Sequence, residues 1–185
     1  ETGFKKLNVD LMHGLPNQTL ADALSDLQQA IDLGVSHISW YQLTIEPNTV
    51  FYRNTPILPD DEILVDIFEQ GAQLLKANGF VQYEVSAWSR QADFQPSQHN
   101  LNYWQFGDYL AIGAGAHGKV TRPDGIYRFS KSRLPKDYRV NQSAIGWQAI
   151  EPSDLPFEFM MNGLRLKNGV PKQFWIERTG LAWSV

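Results

Sequence analysis

The chain has 185 residues, 43% hydrophobic and 19% charged, with a formal net charge of -4. It has the length of one domain, or of a domain with part of another, and an ordinary folded composition. With no cysteine it can form no disulfide and no thiolate metal site of its own, and no dense basic stretch points to nucleic acid as its partner. No apolar run is long enough to span a bilayer and no signal peptide is present. These features fit a cytoplasmic protein. The chain opens at Glu1 without an initiator methionine and stops at Val185 just past a helix, so it reads as a piece of a longer one.

Leu7 to Met12 reads as a buried strand carrying Asp10, closed by the turn Gly14-Leu15-Pro16. Thr19 with Asp22 three residues on predicts a capped helix start. Leu20, Leu24, Leu27 and Ile31 recur at helical spacing, and Gly34 ends the run. His37 to Leu43 is the next strand, followed by a long loop with Pro47, Pro56 and Pro59. Asp60 and Asp61 open a second helix on the side its dipole favours, and Gly79 ends it. Phe80 to Ala87 alternates as a third strand. Strand-helix-strand-helix-strand implies parallel strands with right-handed crossovers, as in half of a barrel or part of an open α/β sheet.

After residue 88 the pattern changes. Gln91 to Ser97 is a polar loop. His99-Asn100-Leu101-Asn102-Tyr103-Trp104 then sets an imidazole, carboxamides and two large rings side by side. Such a stretch suits the edge of a pocket for a flat ligand, or a surface loop with an aromatic anchor. A short strand from Tyr109 to Ile112 leads into the glycine run Gly113 to Gly118. Arg122-Pro123-Asp124-Gly125 signals a hairpin. Lys131 to Ala149 reads as a mixed connector, Asp154 to Leu166 as a helix, and Pro171 to Thr179 as another. A domain boundary is expected near residue 150, dividing 1–150 from 151–185.

Several residues could carry chemistry. Asp10 lies toward the carboxyl end of a parallel strand, where α/β folds bind ligands. It could accept from a hydroxyl or an ammonium, or simply hold the turn. His13 could act at the same end or be a partly exposed loop-edge histidine. The polar groups of Tyr41 to Pro47 could read a nucleoside or cap the loop. Glu84 could be an acid or base, or pair with a cation. His99 and His117 are candidate iron- or porphyrin-contacting groups, and Gly113, Gly115 and Gly118 allow close backbone approach. The glycines do not complete a dinucleotide fingerprint, and no phosphate loop, nucleophile elbow or zinc-protease motif is present.

Taken in order, these motifs resemble one family. Asn8 to Pro16 resembles the fifth barrel strand, and Ser39 to Pro47 the sixth, of the oxygen-independent coproporphyrinogen III oxidase family of radical S-adenosylmethionine (SAM) proteins. Tyr83 to Ala87, His99 to Trp104 and Gly113 to Lys119 look like its HemW subgroup of haem chaperones. The resemblance runs from Leu7 to Leu181. It implies the carboxyl-terminal half of a partial, TIM-like (β/α) barrel up to residue 150, then the start of a small helical C-terminal domain. It also implies SAM and a [4Fe–4S] cluster whose C-x-x-x-C-x-x-C ligands lie upstream of this chain. Asp10, Thr44 and His117 match SAM-contacting positions. The oxidases have alanine and isoleucine at the last two, so only a backbone or packing contact carries over there. The oxidases lack H-N-x-x-Y-W and differ at Tyr83 to Ala87, so the chaperone subgroup is the nearer likeness. His99, Asn100, Tyr103 and Trp104 then become the haem-binding group, with His99 a candidate iron ligand. The subgroup usually has a cysteine where Ala114 stands, outside the cluster motif.

The expected function is haem binding and delivery to acceptor haem proteins such as respiratory enzymes. The alternative is oxidative decarboxylation of coproporphyrinogen III in porphyrin biosynthesis, so whether the protein is an enzyme stays open at this point. Peripheral membrane association and a homodimer are compatible with either.

Overall fold

A computed structural model describes Gly3 and residues 6–92, 94–141, 143 and 145–183. The chain divides into two compact units, Glu1–Ser97 and Gln98–Val185.

In the first unit, Asn8–His13 forms β1 and Leu20–Asp32 forms α1. The capping box is present: the Thr19 hydroxyl accepts from the Asp22 N–H, and the Asp22 carboxylate accepts from the Thr19 N–H. His37–Gln42 is β2, Val50–Arg53 a short α2, and Asp61–Ala77 α3. Asp60 caps α3 by accepting from Ile63 N–H at 2.9 Å. Gly34 and Gly79 take left-handed backbone just past α1 and α3, as expected of the residues that stop them. Helix α2 lies in the stretch expected to be loop, where the Thr49 hydroxyl caps it on Tyr52 N–H.

The expected third strand is instead a hairpin. Phe80–Glu84 is β3, the chain turns at Val85 and Ser86, and Ala87–Arg90 is β4. The sheet order is β1-β2-β4-β3. β1 and β2 are parallel, as expected, and β4 lies antiparallel between β2 and β3. The crossover through α3 does bring β3 back in the direction of β2, but the return strand fills the space between them. One face of this sheet is covered by the helices. Ala23, Leu27 and Ile31 of α1 and Ile67 and Leu75 of α3 bury against Ile38, Trp40, Phe80 and Trp88. Gly71 is required there, because a Cβ would sit 1.8 Å from the Trp40 ring.

The second unit starts with a helix, α4 (Gln98–Trp104), where the sequence suggested a loop or pocket edge. His117–Arg122 is β5 and Gly125–Ser130 is β6, paired across the expected turn at Pro123 and Asp124. The expected strand from Tyr109 to Ile112 is reduced to one bridge, Tyr109 with Lys119. Leu110 and Ile112 are 76% and 85% exposed, so burial does not recruit them to a sheet. The expected connector contains α5 (Pro135–Val140) and β7 (Ile145–Ala149), and β7 pairs with β6 to give the order β5-β6-β7. Leu155–Gly163 is α6 and Lys172–Thr179 is α7, close to the expected helices. Phe106, Ile126, Leu155, Phe159 and Trp175 form the core of this unit, which draws on both sides of residue 150.

Candidate functional site

Strand alternation sorts β1 by face. Val9, Leu11 and His13 point to the helices, while Asn8, Asp10 and Met12 point away from them. On β2, Asn8 is level with His37 and Asp10 with Ser39. The face away from the helices therefore collects Asn8, Asp10, His37 and Ser39. Asn8 Nδ2 donates to Asp10 Oδ1 at 2.7 Å. Asn8 Oδ1 lies 2.6 Å from His37 Nδ1 and accepts from the Ser39 hydroxyl at 3.2 Å. His37 Nε2 lies 2.8 Å from the Tyr83 hydroxyl oxygen, which accepts from Ser97 N–H at 3.3 Å. Alternation from Phe80, which faces the helices, puts Tyr83 on the face away from them.

Asp10 is exposed, and among the described residues no hydrogen bond reaches its second oxygen. That oxygen can accept from an ammonium or a hydroxyl. Thr44 is exposed just past the end of β2. The structure thus brings Asp10 and Thr44 to one unit, whereas His117 belongs to the other. Burial lowers the pKa of His37, and the negative charge of Asp10 opposes that shift.

His13 is neither loop-edge nor exposed. It is 3% accessible, packed 4.5 Å from the Trp40 ring, and its Nδ1 has no hydrogen-bond partner. Burial lowers its pKa to about 4, so it is a neutral core group on the wrong face to meet Asp10. Glu84 is also buried, at the end of β3. His37 was missed by the sequence reading, which looked for chemistry at strand ends. The alternation His37-Ile38-Ser39-Trp40 is the signal that would have found it.

In the second unit, α4 brings together the expected aromatic group by helical spacing. His99 and Tyr103 meet edge to face with ring centres 4.8 Å apart, and Tyr103 lies 4.3 Å from Tyr109. His99 is exposed and Tyr103 partly so. Burial, with the neighbouring Tyr109 adding to it, raises the pKa of Tyr103, so its phenol stays protonated. Trp104 is differently placed: the Arg165 guanidinium lies 4.2 Å over its ring, and its indole N–H is buried without a partner. One face of that ring is therefore taken. Asn100 is half-buried. Asn102, which drew no role from the sequence beyond its place in the motif, closes the helix end by donating to Asp108 C=O at 2.9 Å.

The glycine run is a loop held by backbone contacts. Gly113 N–H donates to the Tyr138 hydroxyl at 3.1 Å, and Gly115 N–H donates to Ser132 C=O at 2.8 Å. Gly118 serves packing, since a Cβ there would meet the Phe129 ring at 2.3 Å. His117 is exposed at the start of β5. Next to it in the sheet, Lys119 is buried with Nζ 3.1 Å from Asp108 and 4.2 Å over the Phe106 ring. Burial lowers its pKa, against the pull of the Asp108 carboxylate. No group of three or more histidine, aspartate or glutamate side chains among the described residues is arranged to hold a metal ion, and with no cysteine the chain offers an iron–sulfur cluster no thiolate. No described helix is long and apolar enough to cross a membrane.

The chain has a mixed α/β fold that matches that of a solved radical SAM protein. It superposes on a solved structure of Escherichia coli coproporphyrinogen III oxidase (HemN), described as a radical SAM enzyme. The TM-score is 0.71 at 15% identity, covering 97% of this chain and 44% of that one. Residues 150–184 match the HemN C-terminal domain. The nearer sequence likeness is to proteins named heme chaperone HemW. Identity is 58% with that of Haemophilus influenzae and 53% with that of Escherichia coli, each over 99% of this chain and 48% of the relative. The Bacillus subtilis protein of that name is 34% identical over 97% of the chain. The chain spans about half the length of the curated relatives it matches.

Proposed function

We propose that this chain is the carboxyl-terminal half of a haem chaperone that binds haem and passes it to acceptor haem proteins, respiratory enzymes among them. The observation that carries the reading is the exposed His99 imidazole set against Tyr103 on α4, in a chain so close to relatives named heme chaperone. An imidazole with free access can ligate haem iron. Tyr103 and Asn100 would flank the porphyrin, and Trp104, covered by Arg165, would back them.

In this reading Asp10 holds a polar group of SAM, with Thr44 contributing a packing or backbone contact. SAM would supply the family's reductive cleavage chemistry at a cluster ligated by upstream cysteines. Residues 1–150 are then the barrel half and 151–185 the start of the C-terminal domain. A cytoplasmic location, with a homodimer or transient membrane association during delivery, fits the same role.

The test uses the full-length protein with its cluster reconstituted. Haem binding without conversion of coproporphyrinogen III is expected, and His99→Ala should weaken haem binding and change its visible spectrum. Turnover of coproporphyrinogen III would instead make the protein an oxidase. An unchanged spectrum and affinity in His99→Ala would remove His99 as the anchor.

A further inference from the structure

We infer that His37 is a positioning residue that orients the Asp10 carboxylate, through Asn8, and ties it through Tyr83 to the backbone of Ser97. This rests on the reading of Asp10 as a SAM contact.

The directions of the hydrogen bonds follow by elimination. An ionised carboxylate only accepts, so the Asn8 amide group facing Asp10 must be its NH2, at 2.7 Å. The Asn8 oxygen then faces His37 and Ser39, at 2.6 Å and 3.2 Å. His37 must therefore carry its proton on Nδ1. In the neutral ring that leaves Nε2 as an acceptor, so the Tyr83 hydroxyl donates to it across 2.8 Å. The Tyr83 oxygen also accepts from Ser97 N–H. Each link has one polarity, and no link can be reversed without setting acceptor against acceptor.

The burial gradient supports a positioning role. His37 and Tyr83 are 7% and 5% accessible, while Asn8 and Asp10 are exposed. The buried end is fixed by packing and the exposed end meets the ligand, which is how supporting groups pre-set a binding side chain. The neutral ring suits its surroundings, because burial disfavours the cation. Among the described residues, Asp10 is the charged group that acts on it. Ser97 is also two residues before His99 in the sequence. The line from Asp10 thus ends on the backbone that leads into the helix bearing the proposed haem anchor.

The experiment compares full-length variants by SAM affinity, by 15N NMR of the histidine rings and by amide exchange at Ser97. His37→Gln places an amide near the Nε2 position and loses the bond to Asn8. His37→Asn places one near Nδ1 and loses the bond to Tyr83. The expected result is a SAM affinity about three- to ten-fold weaker in His37→Gln, the effect of one lost hydrogen bond, and largely restored in His37→Asn. Tyr83→Phe should speed exchange at Ser97 and leave SAM affinity near that of the parent. The parent should show a neutral His37 ring protonated on Nδ1. A ring protonated on Nε2, or equal SAM affinities for the Gln and Asn variants, would overturn the inference. Asp10→Asn separates the two levels: if it leaves SAM affinity unchanged, the SAM reading of Asp10 falls whatever the His37 ring shows. If it weakens binding while His37→Gln does not, only the positioning role falls.

Discussion

His13 and His37 stand on neighbouring strands of one sheet and meet opposite fates. His13 faces the helices and has a hydrophobic neighbour, Trp40, with no partner for Nδ1. Its pKa falls from 6.5 to about 4 on burial, so the unfolded chain binds the proton more readily than the folded one. Stability from this group is complete above pH 6.5 and is lost as pH drops toward 4, by about 3 kcal/mol in all. Urea titrations across that range should show His13→Phe with a shallower loss on the acid side than the parent. Equal slopes would mean that His13 is not the group responsible. His37 keeps both ring nitrogens engaged, and burial lowers its pKa as well, so it adds a loss of the same sign. Asp10, His99 and Tyr103 were legible as candidates because they sit in recognisable stretches. His37 was not, because its role depends on Asn8, twenty-nine positions away in sequence, and on a strand register that no local pattern specifies.

At the level of elements, periodicity and caps carried most of the information. The first two strands, α1 and α3 each have a buried stripe, and the two helices also start at side chains, Thr19 and Asp60, that satisfy free backbone N–H groups. Thr19→Ala removes one half of the capping box and should cost about 1 kcal/mol, read as a lower urea midpoint with an unchanged slope. A slope change would point to a different folding unit. The β3–β4 hairpin escaped detection because its turn, Val85-Ser86, contains no glycine, proline, asparagine or aspartate. It is held instead by the Gln82 carboxamide, which donates to Val85 C=O at 2.9 Å. Strand β7 escaped because Gly146 interrupts a short run whose alternation is too brief to see. Helix α4 was hidden by its polar and aromatic mixture, which has no clear apolar stripe; its helical spacing shows in the edge-to-face contact of His99 with Tyr103.

Over the whole molecule, composition set firm limits and the resemblance supplied the rest. A mixed α/β fold was expected and is present, and the fold match extends along nearly the full chain. The interruption by β4 was not expected, because strand-helix alternation alone describes direction and not neighbour order. The lack of cysteine gives a whole-chain prediction. Incubation of the 185-residue chain with iron and sulfide should leave no stable cluster absorbance, whereas the full-length protein should gain one. A stable cluster on the short chain would require ligands other than thiolates and would break the link to the upstream motif.

The position of β1 at the outer end of the sheet has a practical consequence. Among the described residues β1 pairs with β2 alone, and its other edge is a template for pairing with another strand. Preparations of this half-length chain alone should therefore self-associate as concentration rises. A charged or proline substitution along that margin should keep it dispersed without disturbing the helices that cover the other face.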